Sequence, residues 1–211
     1  MTTRVILCDD HALIRRGIRD TLAEQPDLQV VGEAGDYGEL RALMRKITGD
    51  VLVLDINLPG RSGLDVLHAL KEEGSPIRVL VVSMYPEDQY ALRALRAGAF
   101  GYVNKGGDPA QIVAAVRTVA QGRKYITAEM AQMLVENLTA PSPEAAHDKL
   151  SDRELQTLTM IASGKRLSDI AEELNLSPKT VSVYRARVLE KLGLANNSEL
   201  TVYAIRNGLV G

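Results

Sequence analysis

Tryptophan is absent from this chain of 211 residues, and phenylalanine and cysteine each occur once. The single thiol, Cys8, excludes a disulfide framework and a thiolate metal cluster, and it fits a reducing compartment. With aromatic residues at 4%, the core must be built from aliphatic side chains, as in buried parallel sheets. No apolar run approaches the roughly 20 residues that cross a bilayer. The opening run Val5-Ile6-Leu7-Cys8 is far too short for a secretory leader, so a cytoplasmic protein with no membrane partner is expected. His11, His68 and His147 stand far apart without ligand spacing, which argues against a transition-metal site. Net charge is only −2, so overall charge does not mark a nucleic-acid binder.

What is present is a pattern. The length suits two compact units. Val5 to Cys8, Val51 to Leu54 and Val79 to Val82 lack polar alternation, the mark of strands covered on both faces. Leu28 to Val31 and Gly101 to Val103 are weaker runs of the same kind. Helical periodicity fills the gaps over Leu13–Glu24, Tyr37–Ile47, Leu64–Glu73, Asp88–Ala97 and Pro109–Gln121. Asp36 with Glu39 predicts a capping box, and Asp108-Pro109 an N-cap followed by proline. This alternation predicts an α/β fold, a doubly wound parallel sheet of five βα units. One further helix, Thr127 to Leu138, precedes a proline-containing stretch from Thr139 to Ala146 that reads as a linker. Beyond it the pattern is wholly helical: Ser151–Ser163, Ser168–Leu174, Ser177–Leu192 and Asn197–Asn207. The expected organisation is a first domain over residues 4–121, a linker with one helix over 122–146, and a small all-α domain over 147–211.

Functional groups in such sheets gather at the carboxyl ends of the strands. Those ends carry Asp9 and Asp10, then Asp55, then Ser83, with Lys105 after the last strand. Clustered carboxylates repel unless a cation is present, and hard oxygen ligands of this kind suit Mg²⁺. A carboxylate beside that ion can attack a phosphoryl donor, and Lys105 and Ser83 can bind the new phosphoryl oxygens. Taken singly each residue has a plain reading: a turn aspartate, a loop serine, a solvated lysine, a core tyrosine at Tyr102. Together, in order and at strand ends, they favour chemistry.

These spacings resemble the receiver domain of bacterial two-component response regulators, a CheY-like fold, over roughly residues 4 to 121. The resemblance assigns Asp55, followed by Leu58-Pro59-Gly60 and Gly63-Leu64, as phosphoacceptor. It assigns Asp9, Asp10, Asp55 and Asn57 to Mg²⁺, and Ser83, Tyr102 and Lys105 to the switch. Two departures stand out. Gly106 replaces the proline frequent after the lysine, and Met84 is bulkier than the usual small residue after Ser83.

In the C-terminal part, nine Lys and Arg face seven Asp and Glu from Lys149 to Gly211. Ser168 to Leu174, a short Asn175-Leu176 turn and Ser177 to Leu192 have helix-turn-helix proportions. Steps of about 100° per residue put Val181, Tyr184, Val188 and Leu192 inward on the second helix. Four basic residues (Lys179, Arg185, Arg187, Lys191) and one acid, Glu190, decorate it. Leu150-Ser151-Asp152-Arg153-Glu154, Leu176-Ser177-Pro178-Lys179-Thr180-Val181 and Leu189-Glu190-Lys191-Leu192 resemble the LuxR-type DNA-binding domain. A receiver joined to this domain resembles the NarL/FixJ subfamily of response regulators. By position, Lys179, Ser182, Val183 and Ala186 would be base-proximal, and Thr180, Arg187 and Lys191 would meet phosphates, with Arg185 nearer an internal pair.

The resemblance implies a transcription regulator rather than an enzyme. A sensor histidine kinase would phosphorylate Asp55, and a homodimer would then bind paired half-sites on double-stranded DNA, with RNA polymerase a further candidate partner. The added charge would draw Ser83 and Lys105 inward, with Tyr102 following. Two rivals stay open: a phosphotransferring enzyme of the haloacid-dehalogenase type, and a receiver that works without phosphate. Asn57 stands where the dehalogenase pattern needs a second aspartate, which disfavours fast turnover. Met84 is expected to narrow access to the phosphoryl group. Met84→Ala should therefore change the rates of labelling by acetyl phosphate and of label loss; equal rates would sink the idea.

Overall fold

The computed structural model describes residues 2–139 and 146–210, which divide between two compact units, Met1–Thr139 and Ala140–Gly211. In the first unit, strands β1 (Thr3–Cys8), β2 (Leu28–Ala34), β3 (Val51–Asp55), β4 (Arg78–Ser83) and β5 (Gly101–Asn104) alternate with five helices. These are α1 (Ala12–Ala23), α2 (Tyr37–Met44), α3 (Gly63–Glu72), α4 (Glu87–Ala97) and α5 (Pro109–Ala120). All neighbouring strands run parallel, in the order β2-β1-β3-β4-β5. The winding direction reverses between β1 and β3, the switch point at which open α/β sheets leave a crevice. This is the doubly wound α/β fold read from the sequence.

Every residue of β3 is buried. Val5, Leu7, Val51, Val53, Leu80, Val82 and Val103 share one face, packed with Ile18 and Leu22 of α1 and with Ile112, Val116 and Val119 of α5. Ile6, Leu52, Leu54 and Val81 alternate to the other face, where Leu40, Leu67, Leu70 and Tyr90 of α2, α3 and α4 are buried. Full burial of one such aliphatic side chain contributes about 1.5–3 kcal/mol, so a sheet covered twice does without an aromatic core.

Helix starts follow their signals with one change. Asp108 accepts from the Ala110 N–H, and Pro109 occupies the first helical turn. Asp36 accepts from the Glu39 N–H, but the Glu39 carboxylate accepts from Gly35 rather than from Asp36. The reciprocal half of that box thus closes one residue earlier. After α5, Tyr125 bridges Gly101 in parallel and donates its N–H to the Phe100 carbonyl at 2.8 Å. The next helix, α6 (Ala128–Thr139), packs against α4 with Met130 fully buried. The helix expected in the linker is therefore part of the first compact unit. Of the expected linker, residues 140–145 lie outside the described residues.

The second unit opens with a short 3-10 turn, Ala146–Lys149, that the sequence pattern did not flag. Helices α7 (Asp152–Ala162), α8 (Leu167–Glu173), α9 (Pro178–Leu192) and α10 (Asn197–Arg206) follow. Their core is Leu155, Leu158, Ile161, Ile170, Leu174, Val181, Val188, Leu200 and Ala204. Ser151 and Glu154 complete a full capping box. Gly164 and Gly193 end α7 and α9 in the left-handed conformation, as expected of C-terminal glycines.

The loop from β3 to α3 is drawn into a narrow neck beneath Asp55. The Gly63 N–H donates to the Ile56 carbonyl at 2.8 Å, and Ser62 caps α3 through the Leu64 N–H at 3.2 Å. A Cβ on Gly63 would stand 2.0 Å from the Asp55 carbonyl oxygen and 2.9 Å from the Ile56 Cα, both of them backbone. Only glycine fits. Gly63→Ala should cost stability at or above the upper end of the roughly 1–3 kcal/mol typical of overpacking. Urea unfolding would measure that loss, and labelling by acetyl phosphate should fall with it; wild-type values in both would refute the constraint.

Candidate phosphoacceptor pocket and nucleic-acid interface

The carboxyl ends of β1 and β3 flank the switch point, and Asp9, Asp10 and Asp55 stand on them. Asp9 and Asp55 are each 2% exposed. Ligand atoms of Asp9, Asp10, His11 and Asp55 all lie within 4.8 Å of one another. Lys105, beyond the end of β5, places its ammonium 2.7 Å from Asp9 Oδ2 and 2.7 Å from Asp55 Oδ2. Its turn is shaped by Asn104, whose side-chain oxygen accepts from the Gly106 N–H at 2.7 Å. The Lys105 N–H donates to the Ser83 carbonyl at 2.8 Å, which fixes the height of the lysine against β4.

Burial pushes the Asp55 carboxyl up to about 6. The Lys105 ammonium works against that rise, the Asp9 charge adds to it, and the Asn57 N–H opposes it by donating to the carboxylate. The lysine thereby helps to keep Asp55 an anion, the form needed for nucleophilic attack. Three carboxylates against one ammonium still leave the pocket short of positive charge. Its donors are chiefly hard oxygens, a set that fits Mg²⁺.

Ser83 is buried, and its Oγ accepts from the Tyr85 N–H at 3.2 Å. The Tyr102 ring is fully buried, and its hydroxyl donates to the Tyr85 carbonyl at 2.7 Å. The Lys105 and Tyr102 side chains are both buried. Met84, by contrast, is 62% exposed at the rim.

Three contributors escaped the sequence reading. Spacing argues against a metal role for His11, yet its Nδ1 lies 2.7 Å from Asp10 Oδ1. Adjacency to Asp10 was the signal that could have found it. Tyr85 stacks on Tyr90 with centroids 4.8 Å apart, and its hydroxyl accepts from Asn57 Nδ2 at 3.4 Å. Asn104 also donates to the Tyr85 carbonyl, at 3.2 Å. Cys8, next to Asp9, is buried; burial and then the charges of Asp55 and Asp9 push its thiol up to about 12.

In the second unit, α8 and α9 are joined through Asn175, which adopts φ 51°, a left-handed conformation that asparagine tolerates. Ser177 caps α9 by accepting from the Thr180 N–H at 3.1 Å, and its Oγ lies 2.7 Å from the Thr180 hydroxyl. Val181 and Val188 are buried inward, and Tyr184 and Leu192 are half-buried. Lys179, Ser182, Val183, Ala186 and Arg187 are exposed, and neither Lys179 nor Arg187 forms an ion pair among the described residues. Arg185 donates to Asn197 Oδ1 of α10 at 2.5 Å, the internal role foreseen for it.

Lys191 differs from expectation. Its ammonium lies 2.6 Å from the buried Glu154 carboxylate rather than standing free for a DNA phosphate. Burial acts to raise the Glu154 carboxyl, but Lys191 and the Ser151 N–H outweigh it and hold it below its usual value. Lys191 therefore ties α9 to α7.

Residues 5–117 match the response regulator receiver domain family, and residues 148–204 match the bacterial regulatory proteins of the luxR family. The response regulator GacA of Pseudomonas protegens is 40% identical over 207 residues, covering 98% of this chain and 97% of its own. The response regulator UvrY of Escherichia coli is 37% identical, covering 97% and 94%. Among solved structures, RcsB of Salmonella enterica serovar Typhimurium, bound to promoter rprA in the presence of phosphomimetic BeF3-, has a TM-score of 0.64 at 27% identity. That match covers 96% of this chain and 98% of RcsB. The acidic pocket at the switch point and the helix-turn-helix thus belong to one known pairing, and the chain is a member of the NarL/FixJ family of two-component response regulators, a receiver domain joined to a LuxR-type DNA-binding domain.

Proposed function

We propose that this chain is a transcription regulator of a two-component system, switched by phosphorylation of Asp55 and acting on DNA as a dimer. The observation that carries the reading is Asp55 itself, a buried carboxylate at the switch point held 2.7 Å from the Lys105 ammonium among three further possible ligands. In the proposed reaction an Asp55 oxygen attacks the phosphorus of a sensor kinase's phosphohistidine. The P–O bond forms as the P–N bond breaks, and the histidine leaves. Lys105 then exchanges its carboxylate partners for phosphoryl oxygens, and Ser83 supplies a hydroxyl beside them. Asp10, Asp55 and the Asn57 carbonyl, with Asp9 assisting, would hold Mg²⁺, which when bound neutralises phosphoryl charge.

The protein is not a turnover enzyme in this reading. Asn57 offers an amide, bonded to the Tyr85 hydroxyl, where a phosphatase would need a second carboxyl group. The phosphoryl group is held as a signal and lost slowly. In this reading the receiver spans residues 4–121, the connecting segment 122–146 carries α6, which packs on the receiver unit, and the DNA-binding domain spans 147–211. A cytoplasmic setting and contact with RNA polymerase complete the proposal.

On DNA, Lys179, Ser182, Val183 and Ala186 face base edges, and Thr180 and Arg187 face phosphates. Lys191 is the weakest of the set, because Glu154 already neutralises it. Two such domains would meet half-sites about one helical turn apart or a multiple of it. A shift of the population from 1:99 to 99:1 requires about 5.5 kcal/mol, to which phosphate, dimerisation and DNA each contribute by linkage.

Asp55→Ala should abolish labelling by acetyl phosphate or a phosphorylated kinase; acid-labile label that persists would defeat the assignment. Lys179→Ala and Arg187→Ala should each weaken binding to DNA selected from a random pool. Loss of one phosphate contact should make the slope of log affinity against log salt shallower by about 0.9. Unchanged affinity in both variants would count against this docking.

A further inference from the structure

The first turn of α4 begins without the usual side-chain anchor. Pro86 stands at its N-cap and makes no side-chain cap bond. Glu87, the first helical residue, carries a carboxylate that could serve the helix's own free N–H groups. It reaches away instead: the Thr127 hydroxyl donates to Glu87 Oε2 at 2.6 Å. Thr127 also caps α6, its Oγ accepting from the Met130 N–H at 3.2 Å. One hydroxyl therefore joins the start of α4 to the start of α6.

The other end of this connection lies in the phosphoacceptor pocket. Ser83 holds the Tyr85 N–H, and the Tyr85 carbonyl accepts from Tyr102 and Asn104. Tyr85 is followed directly by Pro86 and Glu87, so any shift of Ser83 or Tyr102 displaces the first turn of α4. Beside that turn an open groove of about 630 Å³, lined by Asn104, Gln111, Glu129 and Met133 among others, leaves room for it to move. α6 is the last helix of the first unit, and the chain continues from it toward the DNA-binding unit.

We propose that the Glu87–Thr127 hydrogen bond is the output latch of this receiver, passing the phosphorylation state of Asp55 to the cap of α6. The proposal rests on the phosphorylation reading above. With the latch closed, Glu87 orients the Thr127 hydroxyl and the first turn of α6 is capped. Displacement of the α4 turn withdraws the acceptor and frees α6 to change its start. Both ends are discrete hydrogen-bonded states, which is the physical requirement for coupling two sites.

The test uses the full chain, with beryllofluoride as phosphoryl mimic and DNA selected by the wild-type protein. Glu87→Ala removes the acceptor but leaves the Thr127 cap; Thr127→Val removes both, and Thr127→Ser keeps both. Labelling of Asp55 by acetyl phosphate should stay within about twofold of wild type in all three. The ratio of DNA affinities with and without beryllofluoride, typically about 5–150-fold for coupled sites, should fall at least fivefold in Glu87→Ala and Thr127→Val. Thr127→Ser should retain it. Hydrogen exchange at the Met130 amide should respond to beryllofluoride in wild type and not in Glu87→Ala. Variants that lower both affinities together, with the ratio intact, would reduce the bond to a structural tie and overturn the proposal. A responsive wild type with equally responsive variants overturns the latch alone, whereas an unresponsive wild type overturns the phosphorylation reading and the latch with it.

Discussion

The ammonium of Lys105 sits 2.7 Å from both Asp9 and Asp55, with its own side chain and both carboxylates almost wholly out of solvent. Buried charges of one sign cannot be gathered in this way without a cation among them, and removing one partner of a buried ion pair costs about 3–5 kcal/mol. The bridge therefore joins β1, β3 and the end of β5 at the crevice that the winding leaves open. Asn104 shapes the turn that delivers the lysine, Ser83 accepts its backbone N–H through the carbonyl, and Gly63 lets α3 begin directly under Asp55. Each is a condition for placing one ammonium.

Much of this was legible in the sequence because it is local or periodic. Unbroken aliphatic runs located β1, β3 and β4, weaker runs marked β2 and β5, and functional residues at strand ends follow once the sheet is known to be parallel. Caps at Asp36 and Asp108 were readable because they lie within three residues of their partners. His11 apart, what was missed depends on contacts distant in sequence. Tyr85 meets Asn57 across 28 positions, Thr127 meets Glu87 across 40, and Lys191 meets Glu154 across 37. No local pattern encodes such pairs. Lys191 shows the limit most clearly: its basic character suggested DNA, while its position placed it over a buried carboxylate.

The two units solve their stability problems differently. The receiver buries continuous strands between two layers of helices, so its polar groups can be concentrated at one edge. The small helical unit has less interior and relies on joints between helices: the Ser151–Glu154 box, the Glu154–Lys191 pair and the Arg185–Asn197 contact. Those joints fix the back of α9 and leave Lys179, Ser182, Val183, Ala186 and Arg187 outward.

Cys8 lies one residue before Asp9, beside the carboxylates of the acidic pocket. A thiolate there would be a rival nucleophile and a target for oxidants. Burial and the neighbouring carboxylate charges hold the thiol near 12, so almost none is ionised at neutral pH. Burial first, and then the acidic crowding that invites a cation, silence the sulfur. An inert sulfur beside the pocket's oxygens is thus the product of burial and charge together.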